Sequence, residues 1–235
     1  MRAEKTLGIL MLNTKFPRIN GDIGNQATFD FPLNKLVVEG ANPNTVVMQG
    51  NQGLLEPFLK AAEELERQGV TAITTSCGFL AMFQKELAAQ VKVPVFASSL
   101  LQVRMAAALL PADKCVGIMT ADSRKLDERH FRGVGIEDVR KVVYGMQGTH
   151  FHDIFVGNRE DLDYDLATKN MVDVAKQMVT EHPDVGAIVF ECTNMPPYAK
   201  AVSEAVGLPV YDITTLANYI MNCAARAPFL PIGYP

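Results

Sequence analysis

The sequence predicts an α/β protein built from two similar lobes, each with about four parallel strands, and three observations lead there. Short runs rich in Val and Ile alternate along the chain with amphipathic stretches of helical period. The runs have the length and uniform apolarity of strands covered on both faces, as in parallel sheets. The chain also repeats itself. Aligning Cys77 with Cys192 sets an offset of 115 residues, which also places Ala72-Ile73 on Ala187-Ile188, Pro94 on Pro209, Val95 on Val210 and Leu101 on Leu216. Gly8-Ile9 and Gly117-Ile118 match at an offset of 109. Self-similarity on this scale marks two units of one plan, each ending its third strand at a cysteine.

Taken in chain order, the predicted strands are "LGILML" (7–12), "TVVM" (45–48), "TAITT" (71–75) and "VPVFA" (93–97), then "CVGIMT" (115–120), "KVVYG" (141–145), "GAIVF" (186–190) and "LPVYD" (208–212). Helical patterns lie between them. "LLEPFLKAAEELERQG" gathers Leu54, Leu55, Phe58, Leu59, Ala62 and Leu65 on one face, carries a Glu56–Lys60 pair on the other and stops at Gly69. The stretches 79–91, 100–110, 165–181, 198–206 and 216–226 follow the same logic and are long enough to cross between parallel strands. "FPRINGDIGNQATFDFP" (16–32) is a long Gly- and Asn-containing loop directly after the first strand, where a lid or substrate loop belongs. Turn chemistry at Asn20-Gly21-Asp22 explains it equally well. Arg18 within it offers a bidentate partner for a carboxylate, whereas Gly21 and Gly24 make too slight a pattern for a phosphate loop.

Composition narrows the function. At 235 residues, 48% hydrophobic and 20% charged, the chain has the apolar content of a soluble protein with one large core or two small ones. A formal net charge of −4 and a pI near 5.6 give no attraction for nucleic acid or anionic lipid. The first apolar run is too short to span a bilayer. Cys77, Cys115, Cys192 and Cys223 are widely spaced without a C-x-x-C pair, which argues against a zinc site or a disulfide framework and fits a reducing cytoplasm. His150 and His152 would share a face on a strand, but no further ligand cluster accompanies them, so two solvated loop histidines are the simpler reading.

Cys77 and Cys192 both fall where a strand gives way to a helix, the edge of a parallel sheet at which ligands gather. Helix N-termini there lower a thiol's pKa and hold a carboxylate. Ser76 precedes the first cysteine; Gly78 and Phe79 follow it, and Gly78 would let a ligand approach the backbone. Thr193 and Asn194 follow the second with hydroxyl and amide groups. Alone, each cysteine reads as a small core residue. Two at equivalent strand ends of facing lobes would present a thiol from each wall of one cleft, an arrangement suited to taking a proton from one face of a carbon and returning one to the other. Cys115, at a strand start, and Cys223, inside a helical pattern, receive no role.

At "TTSCGF" (74–79), "FECTN" (190–194) and "VGIMTADS" (116–123) the chain resembles the aspartate/glutamate racemase superfamily, whose members include hydantoin racemases, maleate isomerases and arylmalonate decarboxylases. The resemblance implies two Rossmann-like lobes, residues 1–98 with 213–235 and residues 99–212, and an active site in the cleft between them. It also implies no cofactor, metal or pyridoxal phosphate, and a homodimer or higher homo-oligomer. Cys77 and Cys192 carry over as the acid–base pair, with Asn13, Ser76, Gly78, Phe79, Thr120, Thr193 and Asn194 placed to hold a small carboxylate substrate. Amino-acid racemases follow the first cysteine with Asn-Thr, and glutamate racemases end the first strand on an acidic residue. Gly78-Phe79 and Leu12-Asn13-Thr14 depart from both patterns. The expected activity is that of a racemase or epimerase. The alternatives are a cysteine-dependent cis-trans isomerase or decarboxylase, and a two-lobed binding protein without catalysis.

Overall fold

A computed structural model describes residues 5–51 and 53–226, so the outermost ends of the expected first lobe, and Gln52, lie outside the described residues. The first half contains β1 (Leu7–Met11), β2 (Leu33–Val37), α1 (Leu55–Arg67), β3 (Ala72–Thr75), α2 (Gln84–Gln90) and β4 (Val95–Phe96). The second contains α3 (Gln102–Ala108), β5 (Cys115–Thr120), α4 (Glu128–Val134), β6 (Lys141–Gly145), α5 (His150–Phe155), α6 (Tyr164–Glu181), β7 (Val185–Phe190), α7 (Ala199–Val206), β8 (Val210–Tyr211) and α8 (Ile213–Ala224). The strands form two all-parallel sheets of identical plan, β2-β1-β3-β4 and β6-β5-β7-β8. In each, the chain runs from the first strand to one neighbour and then hops over it to the other. The crevice opened by that reversal lies at the carboxyl ends of β1 and β3, and of β5 and β7.

The repeat has a packing reason. A Cβ on Gly8 would press on Leu65 and Val70 at 3.1 Å, and one on Gly117 would strike Met178 Sδ at 2.6 Å. Both central strands therefore need glycine where the following helix closes on the sheet. The lobes are also sewn together. α3 leaves the first sheet to pack on β5 and β7, while α8 returns to the first, burying Ile213, Leu216, Ala217 and Met221 with Leu7, Ile9, Ala72 and Phe96. The 16–32 loop crosses the cleft: Phe16 packs edge-on against Phe155 at 5.1 Å, and Gly21, at φ 97°, lies against Pro197.

Two expectations are corrected. "TVVM" is not a strand: Asn42 and Thr45 cap each other's backbone N–H, and a wide helical turn over Asn44–Met48 closes with Gln49 N–H on the Asn44 carbonyl at 2.9 Å. The strand of this region is β2, "LNKLV", an edge strand with Val37 60% exposed, whose Asn34 and Lys35 hide it from an apolar-run search. His150 and His152 are neither on a strand nor in a loop. They open α5, which Thr149 caps by accepting from His152 N–H. His150 Nε2 accepts from Asp163 N–H at 2.9 Å, and His152 Nε2 lies 3.2 Å from Asp122. Two residues apart on a helix, they diverge rather than converge on one ion.

Candidate active site

The two strand ends are built alike. β3 runs into Ser76 and Cys77, then a helical turn over Gly78–Phe83; β7 runs into Glu191, Cys192, Thr193 and Asn194, then a turn over Pro196–Tyr198. Each thiol sulfur takes a backbone N–H from the residue two positions on, Phe79 for Cys77 and Asn194 for Cys192. Cys77 and Cys192 are half-buried and line one small pocket in the cleft. Its walls are otherwise mostly apolar: Leu12, Phe16, Pro43 and Val47 from the first half, Phe79 beyond Cys77, and Ala121, Phe155 and Val156 from the second. No Lys or Arg is among the described residues that line it.

Among the matched positions that differ between the lobes, Ser76 in the first corresponds to Glu191 in the second. Ser76 Oγ accepts from Leu12 N–H at 2.9 Å, and the Glu191 carboxyl accepts from the equivalent Ala121 N–H. Glu191 is fully buried; its Oε2 accepts from Thr120 Oγ1 at 2.7 Å, and its Oε1 has no hydrogen-bond partner. Gly78 lies against it so closely that a Cβ would collide with the Glu191 carbonyl and carboxyl oxygens. Burial pushes the Glu191 carboxyl up to about 7, against the opposing hydrogen bonds from Thr120 and Ala121.

Sequence reasoning expected helix N-termini to depress the thiols. Burial reverses this: desolvation pushes Cys77 and Cys192 well above the ordinary thiol range, and the Glu191 charge adds to it in both. The single N–H on each sulfur does not offset the loss of water. The thiols are not equivalent. Arg18 lowers Cys77, whereas Cys192 also faces the Cys77 and Asp22 charges, both of which raise it.

Of the residues expected to bind substrate, Ser76, Gly78, Phe79 and Asn194 line the cavity. Thr120 and Thr193 are buried behind it: Thr120 donates to Glu191, and Thr193 Oγ1 donates to the Ser76 carbonyl at 2.7 Å, a strut between the lobes. Asn13 is exposed and faces a separate shallow depression with Thr14, Arg18 and Lys35. Asn194 spends its amide on Asp22 Oδ2 at 2.6 Å and holds its Oδ1 3.5 Å from Cys192 Sγ. Arg18 is not a free carboxylate receptor. It pairs with Asp22 at 2.8 Å and donates to Thr14, so the loop delivers a chain of contacts from Arg18 through Asp22 and Asn194 to Cys192. The sequence reading missed Glu191, Asp22 and the aromatic wall. The available signal was a carboxylate at the end of an otherwise unbroken apolar strand, directly before the second cysteine.

Two four-stranded parallel lobes with a thiol from each strand end in one closed cleft define a duplicated α/β fold of a kind shared by racemases and decarboxylases. The Asp/Glu/hydantoin racemase family matches residues 37–218, and the chain belongs to that family. It is 32% identical over 225 residues to the dimethylsulfoniopropionate lyase of Durusdinium sp. clade D, covering 92% of this chain and 74% of that protein. It is 31% identical to dimethylsulfoniopropionate lyase 7 of Emiliania huxleyi, covering 95% and 68%. Among solved structures, unliganded arylmalonate decarboxylase shares the fold with a TM-score of 0.64 at 16% identity, over 98% of this chain and 96% of that one. Allantoin racemase from Klebsiella pneumoniae shares it with a TM-score of 0.62 at 15% identity, over 93% and 86%.

Proposed function

We propose that this chain is a carbon–sulfur lyase acting on dimethylsulfoniopropionate or a close β-onium carboxylate. The reaction removes a proton from the carbon beside the carboxylate; the electrons of that C–H bond form the new double bond, and those of the C–S bond leave with sulfur. Dimethyl sulfide, acrylate and one proton result. The observation that carries this reading is the character of the cavity. Its thiols and buried carboxyl stand among Phe16, Phe79, Phe155 and aliphatic side chains, with no Lys or Arg among the described lining residues. Such walls suit a methylated cation, which has no N–H to donate and is attracted by ring faces, better than the two anionic groups of aspartate or glutamate. The two lyase relatives point the same way.

The raised thiols fit the scheme. A positive sulfonium entering the cleft favours the thiolate, so the base forms when substrate arrives. Cys77 is the better base because Arg18 opposes the charges that raise it, while Cys192 has only added negative neighbours. Purified protein supplied with dimethylsulfoniopropionate should release dimethyl sulfide and acrylate in equal amounts, measured by headspace gas chromatography and liquid chromatography. Absence of both products under turnover conditions would sink the reading.

The racemase or epimerase reading keeps one specific support, the pairing of thiols from opposite lobes. It begins with the same carbanion and differs in its fate, reprotonation rather than expulsion of a leaving group. Solvent deuterium entering the α-carbon of recovered amino acid, hydantoin or hydroxy acid, without elimination, would favour it.

A further inference from the structure

The repeat places a serine hydroxyl at the first strand end and a carboxyl at the second, and the proposed elimination does not use that carboxyl. Glu191 is chemically expensive where it stands. It is wholly removed from water, only one of its oxygens is hydrogen-bonded by a side chain, and the other is left without a partner against Gly78. A carboxyl in such a place takes up a proton or, once ionised, costs folding energy unless something else compensates its charge. Nothing among the described cavity residues does so, because none is cationic. The missing counter-charge matches what the aromatic wall accommodates.

We propose that Glu191 is the electrostatic selector of the site, its carboxylate supplying the negative charge that holds the onium head of the substrate in the aromatic cleft. This inference rests on the lyase reading for the identity of the onium compound, but the selection itself is a binding property. It extends to any small quaternary ammonium or sulfonium carboxylate, and it disfavours isosteres with an uncharged head. Held by Thr120 and buried from solvent, the charge acts on a cation in the cleft more strongly than it would at the surface.

The other titratable and charged groups around Glu191 are few. From the first lobe come Cys77 and, through the loop, Asp22 paired with Arg18; on its own turn is Cys192. Beyond Thr120 lies Asp122, held ionised by Arg124 and contacted by His152. The thiols titrate above the neutral range, and burial brings Glu191 to about 7. Onium binding should therefore tighten as pH rises through neutrality, and below that pH it should expel a proton from Glu191.

The test is calorimetric titration with trimethylammonium propionate, the nitrogen analogue of the proposed substrate, and with its carbon isostere bearing a tert-butyl head. The wild-type protein should bind the charged ligand at least tenfold more tightly than the isostere above neutrality. That preference should shrink at least threefold about one pH unit below neutrality. Glu191→Gln should bind the two ligands alike at every pH, while Glu191→Asp should keep part of the preference. Equal binding of both ligands by the wild type, or a preference without pH dependence, overturns the proposal, and neither result needs a variant that folds. A Glu191→Gln protein that keeps the full preference overturns it as well. Onium selection without release of dimethyl sulfide would sink the lyase reading and leave this one standing; elimination without selection would do the reverse.

Discussion

Replacing Glu191 with Gln should change how stability depends on pH, by an amount the structure fixes. Glu191 is fully buried, and its carboxyl is raised by that burial from 4.5 to about 7. An acid whose folded pKa lies above its unfolded value binds more protons in the native state across that interval. Its contribution is therefore complete at low pH, falls away as pH rises from about 4.5 to about 7, and stays lost above. At about 1.4 kcal/mol per pH unit the full loss is about 3 kcal/mol, of which roughly 2–3 kcal/mol falls between about pH 5 and about pH 8. Gln does not titrate. It keeps an oxygen for Thr120 and places an amide where Oε1 now has no partner, a pH-independent cost of about 1–3 kcal/mol. The quantity to measure is thus the change with pH in the difference between variant and wild type, from which that constant cost and every shared titration drop out. Denaturant unfolding should show the variant gaining roughly 2–3 kcal/mol on the wild type between those two pH values. For a chain of this size that is a relative rise in Tm of about 4–12 °C. A difference that stays constant with pH would refute the reasoning, because Glu191 would then titrate as it does in the unfolded chain.

Cys77→Ser should lower the rate of elimination by about 10²–10⁴-fold with the fold intact, as loss of a positioned base does. Cys192→Ser should cost less if elimination needs one base, and as much if both thiols transfer protons. Iodoacetamide followed by peptide mass mapping should label exposed Cys223 well before Cys77 or Cys192 near neutral pH, since burial and the Glu191 charge hold both cleft thiols protonated. Early labelling of Cys77 would mean a far wetter cleft. Gly78→Ala should destabilise the protein by about 1–3 kcal/mol, because a methyl there has only the Glu191 backbone and carboxyl to displace. Thr193→Val should cost about 1–3 kcal/mol by leaving the buried Ser76 carbonyl without its inter-lobe donor, read from the midpoint of denaturant unfolding.

The central strands, the long helices α1, α6 and α8 and the duplication were legible because each depends on local periodicity or on a match along the chain. Short uncharged runs of aliphatic and β-branched residues make β1, β3, β5 and β7 recognisable wherever they lie, since a strand covered on both faces carries no charged position to interrupt the pattern. Edge strand β2 escaped because half its surface meets solvent, and "TVVM" misled because the Asn42–Thr45 cap outweighs the preference of its two valines.

From the sequence alone came the two lobes and the placing of Cys77 and Cys192 at equivalent strand ends, both consequences of covalent order and short-range pattern. Only the tertiary structure decided the state of those thiols, the closing of Phe16 and Asp22 over the second lobe, and the burial of Glu191 beneath Gly78. Desolvation and charge–charge effects depend on what packs within a few ångströms, and here those neighbours come from residues 16–22, 77–79, 120–121 and 191–194. No spacing along one strand of sequence encodes a distance among four separate segments. The electrostatics of the cleft therefore emerged only with the fold.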